Sequence, residues 1–187
     1  MKRTDKKAQP YSISERDIKP FLGHCMEAYA LQINLSAMYT HQELLKKTAP
    51  IFFGDTYSIF REHIVLQVCK MADPAEDKWG NKNLTFDFFI KWSPVEVQEK
   101  LKPLRKTMVT FIEKIRPARN KIIAHIDHET VLRGEFLGAA EQKEWDKFWE
   151  NLEGFLKILS NGDFILRDVA YLSDVTSLTK ALEVAQS

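Results

Sequence analysis

Glycine and proline are scarce, seven of each in 187 residues, and cysteine is scarcer, at two. So few breakers favour long helices over a turn-rich β fold. Cys25 and Cys69 lie in apolar helical surroundings without paired spacing, which argues against a disulfide framework. They read as reduced core thiols of a cytoplasmic protein. No apolar run approaches the ~20 residues that a membrane-spanning helix needs, so no membrane partner is expected. Charge of one sign is missing too. Lysine and arginine number 27 against 26 acids, a net charge of +1. That balance excludes a broadly basic nucleic-acid coat. Glycine-rich phosphate loops, Ser-His-Asp arrangements and zinc spacings are all absent, and neither a cofactor nor a resident metal is expected.

What the chain does have is helical periodicity. Residues 1–11 are charged, lack a signal-peptide core and are expected to form a disordered tail. Residues 12–187 are expected to form a single helical domain. Ser14 with Asp17 opens the first helix as a capping-box variant. Pro20 suits only a first turn, which moves the regular start toward residue 19. The stripe Leu22, Met26, Tyr29, Ile33, Ala37, Thr40, Leu44 then carries this helix to just before Pro50. A second helix follows Asp55 as N-cap, burying Tyr57, Phe60, Ile64, Val68 and Met71, until Asp73-Pro74 stops it. Residues 73–83 form a polar loop, and Thr85 caps a short helix through Phe88, Phe89 and Trp92.

Ser93-Pro94-Val95-Glu96 signals another start, with Ser93 as N-cap. Its stripe runs Val97, Leu101, Leu104, Met108, Ile112, Ile115. Pro103 is placed to kink this helix, and Pro117 to bend or restart it. Residues 127–138 read as loop. Between Ala139 and Ser160, Trp145, Phe148, Trp149, Leu152, Phe155, Leu156 and Leu159 form the clearest amphipathic face, closed by Asn161-Gly162. Trp145 and Trp149 sit in that face as core residues rather than base-stacking platforms. A last helix spans Asp174–Ala185. The expectation is an all-α, up-and-down bundle of about five helices.

Charge is unevenly placed along the chain. Residues 100–121 hold eight lysines and arginines against Glu113 alone, whereas residues 135–153 hold six acids against Lys143 and Lys147. This is either a solvated face answered by an acidic neighbour or a phosphate-attracting patch. The basic stretch ends in Arg119-Asn120-Lys121-Ile122-Ile123-Ala124-His125, followed by Ile126-Asp127-His128. On an ideal helix Ile115, Arg119, Ile122, Ile123 and Ile126 share one face, at about 100° and ~1.5 Å per residue. Arg119 therefore points toward packed surroundings and needs an anionic or carbonyl partner there. His125 falls roughly 240° around and ~9 Å along from it. One straight helix does not easily bring both groups onto one small substrate, but two copies apposed across a dimer axis could. His125, Asp127, His128 and Glu129 also offer metal-binding donors, in a spacing that matches no closed site. His24, His41 and His63 lie at unrelated helical positions and read as structural or solvent-exposed.

The Arg119, Asn120 and His125 pattern resembles the signature of the HEPN superfamily: an arginine, a polar residue, then a histidine a few positions later on a helix. Arg119-Asn120-Lys121, Ala124-His125 and Asp127, with Asp73-Pro74 and Asn83-Leu84-Thr85 upstream, are most similar to its AbiU-like abortive-infection branch. The likeness covers roughly residues 12–160. It implies a HEPN-like bundle, dimeric through the motif helices, and metal-independent RNA cleavage of the abortive-infection or toxin type. In that chemistry the ribose 2′-hydroxyl attacks the adjacent phosphodiester. His125 would move a proton, Arg119 would stabilise charge on the phosphoryl oxygens, and Asn120 would orient the ribose or His125. Lys121, Arg116 and Lys114 would bind RNA phosphates, with Asp127 in support, and an antitoxin or regulatory partner would hold the activity in check. Two readings from other classes stand beside this one. One is a non-catalytic HEPN-like module that binds nucleotide or RNA. The other is a helical interaction protein whose Arg119 forms a buried structural ion pair.

Overall fold

The computed structural model describes residues 12–123, 140–162, 164–166 and 175–186, with side chains for all but 122, 123 and 186. The tail expected over residues 1–11 and the loop expected over 127–138 lie outside the described residues. The fold is all-α. Its helices are α1 (Glu15–Thr40), α2 (Gln42–Thr48), α3 (Pro50–Lys70), α4 (Phe86–Trp92), α5 (Val95–Ala118), α6 (Gln142–Leu159) and α7 (Val175–Gln186). A turn of π-helix, Arg119–Ile123, prolongs α5. Among the described residues seven α-helices stand where about five were expected. Relative to the segments read from the sequence, the added helix comes from a break in the first.

The break divides the expected first helix. At His41 the backbone leaves the helical region, with φ −105° and ψ 22°, and α2 begins at the next residue. Pro20 does not delay α1. The Ser14 amide and hydroxyl both donate to Asp17 Oδ2 at 2.8 Å, and the helix begins at Glu15 despite the one amide donor that Pro20 lacks. The third helix starts at Pro50 rather than after Asp55. Proline is pre-set for a first helical position and loses no bond there, so Asp55 lies inside α3. Ser93 closes α4 instead of opening α5, its amide donating to the Phe89 carbonyl at 3.1 Å. Pro94 is then the N-cap of α5. Thr85 does cap α4, its Oγ1 accepting from the Phe88 amide at 3.3 Å.

Helices α1 and α3 run antiparallel. His24 lies against Gln67 near one end, and Tyr39 against Tyr57 near the other. Helices α5 and α6 are also antiparallel, with Lys114 on Glu144 and Leu104 against the backbone of Gly154. The pairs are joined by aromatic rings. Phe155 of α6 lies 5.1 Å from Phe86 of α4 and 6.5 Å from Phe21 of α1, centroid to centroid, and all three are buried. Trp149 is buried with its indole 5.2 Å from Tyr29, and Trp145 packs against the same core. No described helix is long and apolar enough to cross a membrane.

Because Phe155 bridges three helices, Phe155→Ala should cost ~3–5 kcal/mol of folding free energy. Ile51→Ala, on a side chain 80% exposed, should stay within ~0.5 kcal/mol. Urea unfolding of the two variants checks the difference.

Candidate functional site

The site is built where two distant stretches meet: the end of α5 with its π-helical turn, and the loop between α3 and α4. Pro117 has no amide hydrogen, so the Glu113 carbonyl loses its helical donor. Instead of restarting, the chain stays helical to Ala118 and widens into the π-helical turn at Arg119. Turns of this kind recur at functional sites because they re-aim side chains within a continuous helix.

Opposite it, residues 71–85 are tied down by their own polar groups. Asp77 Oδ1 accepts the amides of Trp79 and Asn81 at 2.8 and 2.9 Å, and its Oδ2 accepts from Asn81 Nδ2 at 2.8 Å. These bonds hold the Asp77 carboxyl below the usual range, the Asn81 side chain contributing most. Gly80 supplies the positive φ of 84° that the turn requires. Asn83 closes the loop on itself, its amide donating to the Ala75 carbonyl at 2.8 Å and its Nδ2 to the Pro74 carbonyl at 2.9 Å. The Phe86 amide donates to the Met71 carbonyl at 2.9 Å. Thus Asp73-Pro74 and Asn83-Leu84-Thr85, separated in sequence, form one hydrogen-bonded frame.

That frame presents Asp73 to two arginines. Arg116 Nη1 donates to Asp73 Oδ1 at 3.3 Å, its Nη2 to the Ala72 carbonyl at 3.4 Å, and its Nε to Glu113 Oε1 at 3.0 Å. Arg119 Nη2 stands 3.7 Å from Asp73 Oδ2, and its Nη1 donates to Asn120 Oδ1 at 3.1 Å. Arg116 is 20% exposed and Arg119 30%. The anionic partner expected for Arg119 is therefore Asp73 of the same chain. The guanidinium lies at the edge of the packed surroundings and not within them. Among the described residues, Arg116 has the fuller set of acceptors, and it has the deeper setting. Beneath them lies Cys69, fully buried. Its thiol is pushed up to about 11, mainly by burial; Arg116 and Arg119 oppose the rise while Asp73 and Glu113 add to it. It is a protonated core thiol at neutral pH, not a nucleophile.

The other predicted residues separate. Lys114 turns to α6 and pairs with Glu144 at 2.6 Å, and this contact is the main reason the Glu144 carboxyl is lowered. Lys121 is exposed on the π-helical turn. His125 and Asp127 lie outside the described residues, as do His128 and Glu129. Among the described residues no group of three or more His, Cys, Asp or Glu is arranged to hold a metal ion. His24 Nε2 lies 3.1 Å from the Gln67 carbonyl, and Gln67 Nε2 lies 2.7 Å from His63 Nε2. These are links between and within α1 and α3. The role of Asp73 as partner of the motif arginine was not visible in the sequence, where Asp73-Pro74 read as a helix stop and as part of the AbiU-like resemblance.

The two arginines should differ in folding. Arg116→Ala leaves Asp73 and the Ala72 carbonyl short of a donor in a half-buried place, while the exposed Glu113 turns to water, and should cost about 2 kcal/mol, between exposed and buried pairs. Arg119→Ala should cost less than about 1 kcal/mol. Chemical unfolding of both variants at neutral pH tests the order.

The family model HEPN_AbiU2, described as AbiU2, matches residues 17–162. That span takes in both Asp73 and the Arg119–His125 stretch, with the described helices from α1 to α6. No curated protein matches the chain, and no solved structure does. On the family match, which covers well over half its length, the chain belongs to the AbiU2 family of HEPN domains.

Proposed function

We propose that this protein is a metal-independent endoribonuclease of the abortive-infection or toxin type, working as a two-fold homodimer through its motif helices. The observation that carries the reading is the division of labour between Arg116 and Arg119. Arg116 is spent on three acceptors of the fold, whereas Arg119 is held at the edge by Asp73 and Asn120. A guanidinium oriented by one carboxylate and one amide, and partly open, is set up to receive phosphoryl oxygens. This also counts against the reading in which Arg119 is a buried structural ion pair.

In the proposed reaction the RNA 2′-hydroxyl forms a bond to phosphorus and the bond to the 5′-oxygen breaks. The hydroxyl proton leaves and a proton reaches the 5′-oxygen. The products are a 2′,3′-cyclic phosphate and a 5′-hydroxyl. His125, from the sequence motif and the family, is the proton-transfer group. Arg119 stabilises charge on the non-bridging oxygens. Asn120 orients Arg119, and Asp127 supports His125. Lys121 offers a cation to neighbouring phosphates. Lys114 and Arg116 act through the carboxylates they already hold, Glu144 and Asp73. A cytoplasmic setting and an antitoxin or regulatory partner belong to the same reading.

Cleavage of a single-stranded RNA should therefore persist in excess chelator and leave cyclic-phosphate ends. His125→Ala should lower the rate by ~10²–10⁴-fold with melting unchanged. Activity abolished by chelator and restored by a divalent ion would instead move the chemistry to metal-bound water.

A further inference from the structure

The basic stretch between residues 100 and 121 does not present one face. Arg116 and Arg119 turn to the α3–α4 loop, while Lys106 and Lys114 turn to α6. There they rim a groove of about 810 Å³ between α5 and α6, together with Lys147 of α6 and the Thr107 and Thr110 side chains. The antiparallel register that sets Lys114 on Glu144 and Leu104 on Gly154 brings Lys147 opposite Phe111. Lys147 therefore stands across the groove from the Lys106–Lys114 edge. Lys106 and Lys147 are exposed and have no carboxylate partner among the described residues. Glu144 neutralises only Lys114, so the groove keeps an excess of positive charge.

The opposite flank of α6 has the reverse sign. Asp146, Glu150 and Glu153 face α1 across a separate cavity of about 540 Å³. Helix α6 thus divides a nearly neutral protein into an acidic groove and a basic one, and a polyanion is drawn to the second. From Lys106 to Lys114 is ~12 Å along the axis, room for about three phosphates at the ~3.4 Å or more that a strand advances per nucleotide.

We propose that the α5–α6 groove, through Lys106 and Lys147, carries the sugar-phosphate backbone of single-stranded RNA on one side of the motif. This rests on the ribonuclease reading and adds to it a path for the strand. The contacts are to phosphate, so they supply affinity without base preference. Each lysine that neutralises a phosphate of a single strand contributes ~0.7 to the slope of log affinity against log salt.

The test uses the full chain and an RNA of about a dozen nucleotides, 2′-O-methylated throughout so that it binds without being cut. Lys106→Gln with Lys147→Gln should reduce the salt slope by about 1.4, so a fourfold rise in salt costs this variant about sevenfold less affinity than it costs the wild type. The loss should be alike for unrelated base sequences, and arginine at both positions should restore it. Lys46→Gln with Lys47→Gln, exposed on α2, should leave the slope unaltered. A groove variant with the wild-type slope would overturn the path while leaving RNA binding at the motif intact. Wild-type protein that fails to hold the RNA even at low salt would overturn the ribonuclease reading and the path together.

Discussion

The carboxylate of Asp73, shared between two arginines, is the interaction on which the rest of the site depends. One charge from the α3–α4 loop meets two from the end of α5, and the two cations are not equivalent. Arg116 completes its fork with Glu113 and the Ala72 carbonyl, which makes it a fastening between the helix end and the loop. Arg119 meets the remaining oxygen at 3.7 Å, close enough to be oriented and not so close as to be consumed. An attraction of that kind is weak where water reaches it. Its use is to fix direction, which a side chain with four rotatable bonds otherwise lacks.

Both sides of this contact are built in advance. The loop is a hydrogen-bonded frame, closed by Asn83 on Pro74 and Ala75 and turned at Asp77. The helix end is shaped by Pro117 and the π-helical turn that follows. Behind them the ring cluster of Phe21, Phe86 and Phe155 holds α1, α4 and α6 to one core. Rigid support on both sides is what lets a weak ionic contact orient a side chain. The same helix, α5, sends its lysines the other way to α6, so one element serves the motif on one flank and the groove on the other.

Much of this was legible in the chain. The stripes of α3, α5 and α6 were readable because buried positions recur at three- and four-residue steps, and Thr85 announced its helix by chemistry alone. Ser93, Asp55 and Pro50 each carry a plausible start signal, and local chemistry alone does not say which one is used. Ser93 was taken by α4 and Pro50 came before Asp55. The break at His41 has no sequence signal of the kind a proline or glycine gives. Arg119 and Asn120 were singled out by the family resemblance, and the need of Arg119 for an anion followed from its guanidinium. That the anion is Asp73, more than forty residues earlier, is a tertiary fact. An Asp-Pro pair at a helix end has a sufficient local explanation, and its place in the family resemblance did not say what Asp73 contacts. The π-helical turn was equally hidden, since periodicity assumes a constant advance per residue.

The central claim is that Asp73 holds Arg119 for chemistry and Arg116 for folding. A double-mutant cycle measures this directly. Asp73→Ala, Arg119→Ala and Arg116→Ala, with the two pairwise combinations that include Asp73, would be compared in unfolding free energy and in RNA cleavage rate. The account predicts that Asp73 and Arg116 couple in stability, and that Asp73 and Arg119 couple in rate with little coupling in stability. Coupling of Asp73 and Arg119 in stability as large as that of Asp73 and Arg116, with their effects on rate simply additive, would contradict it.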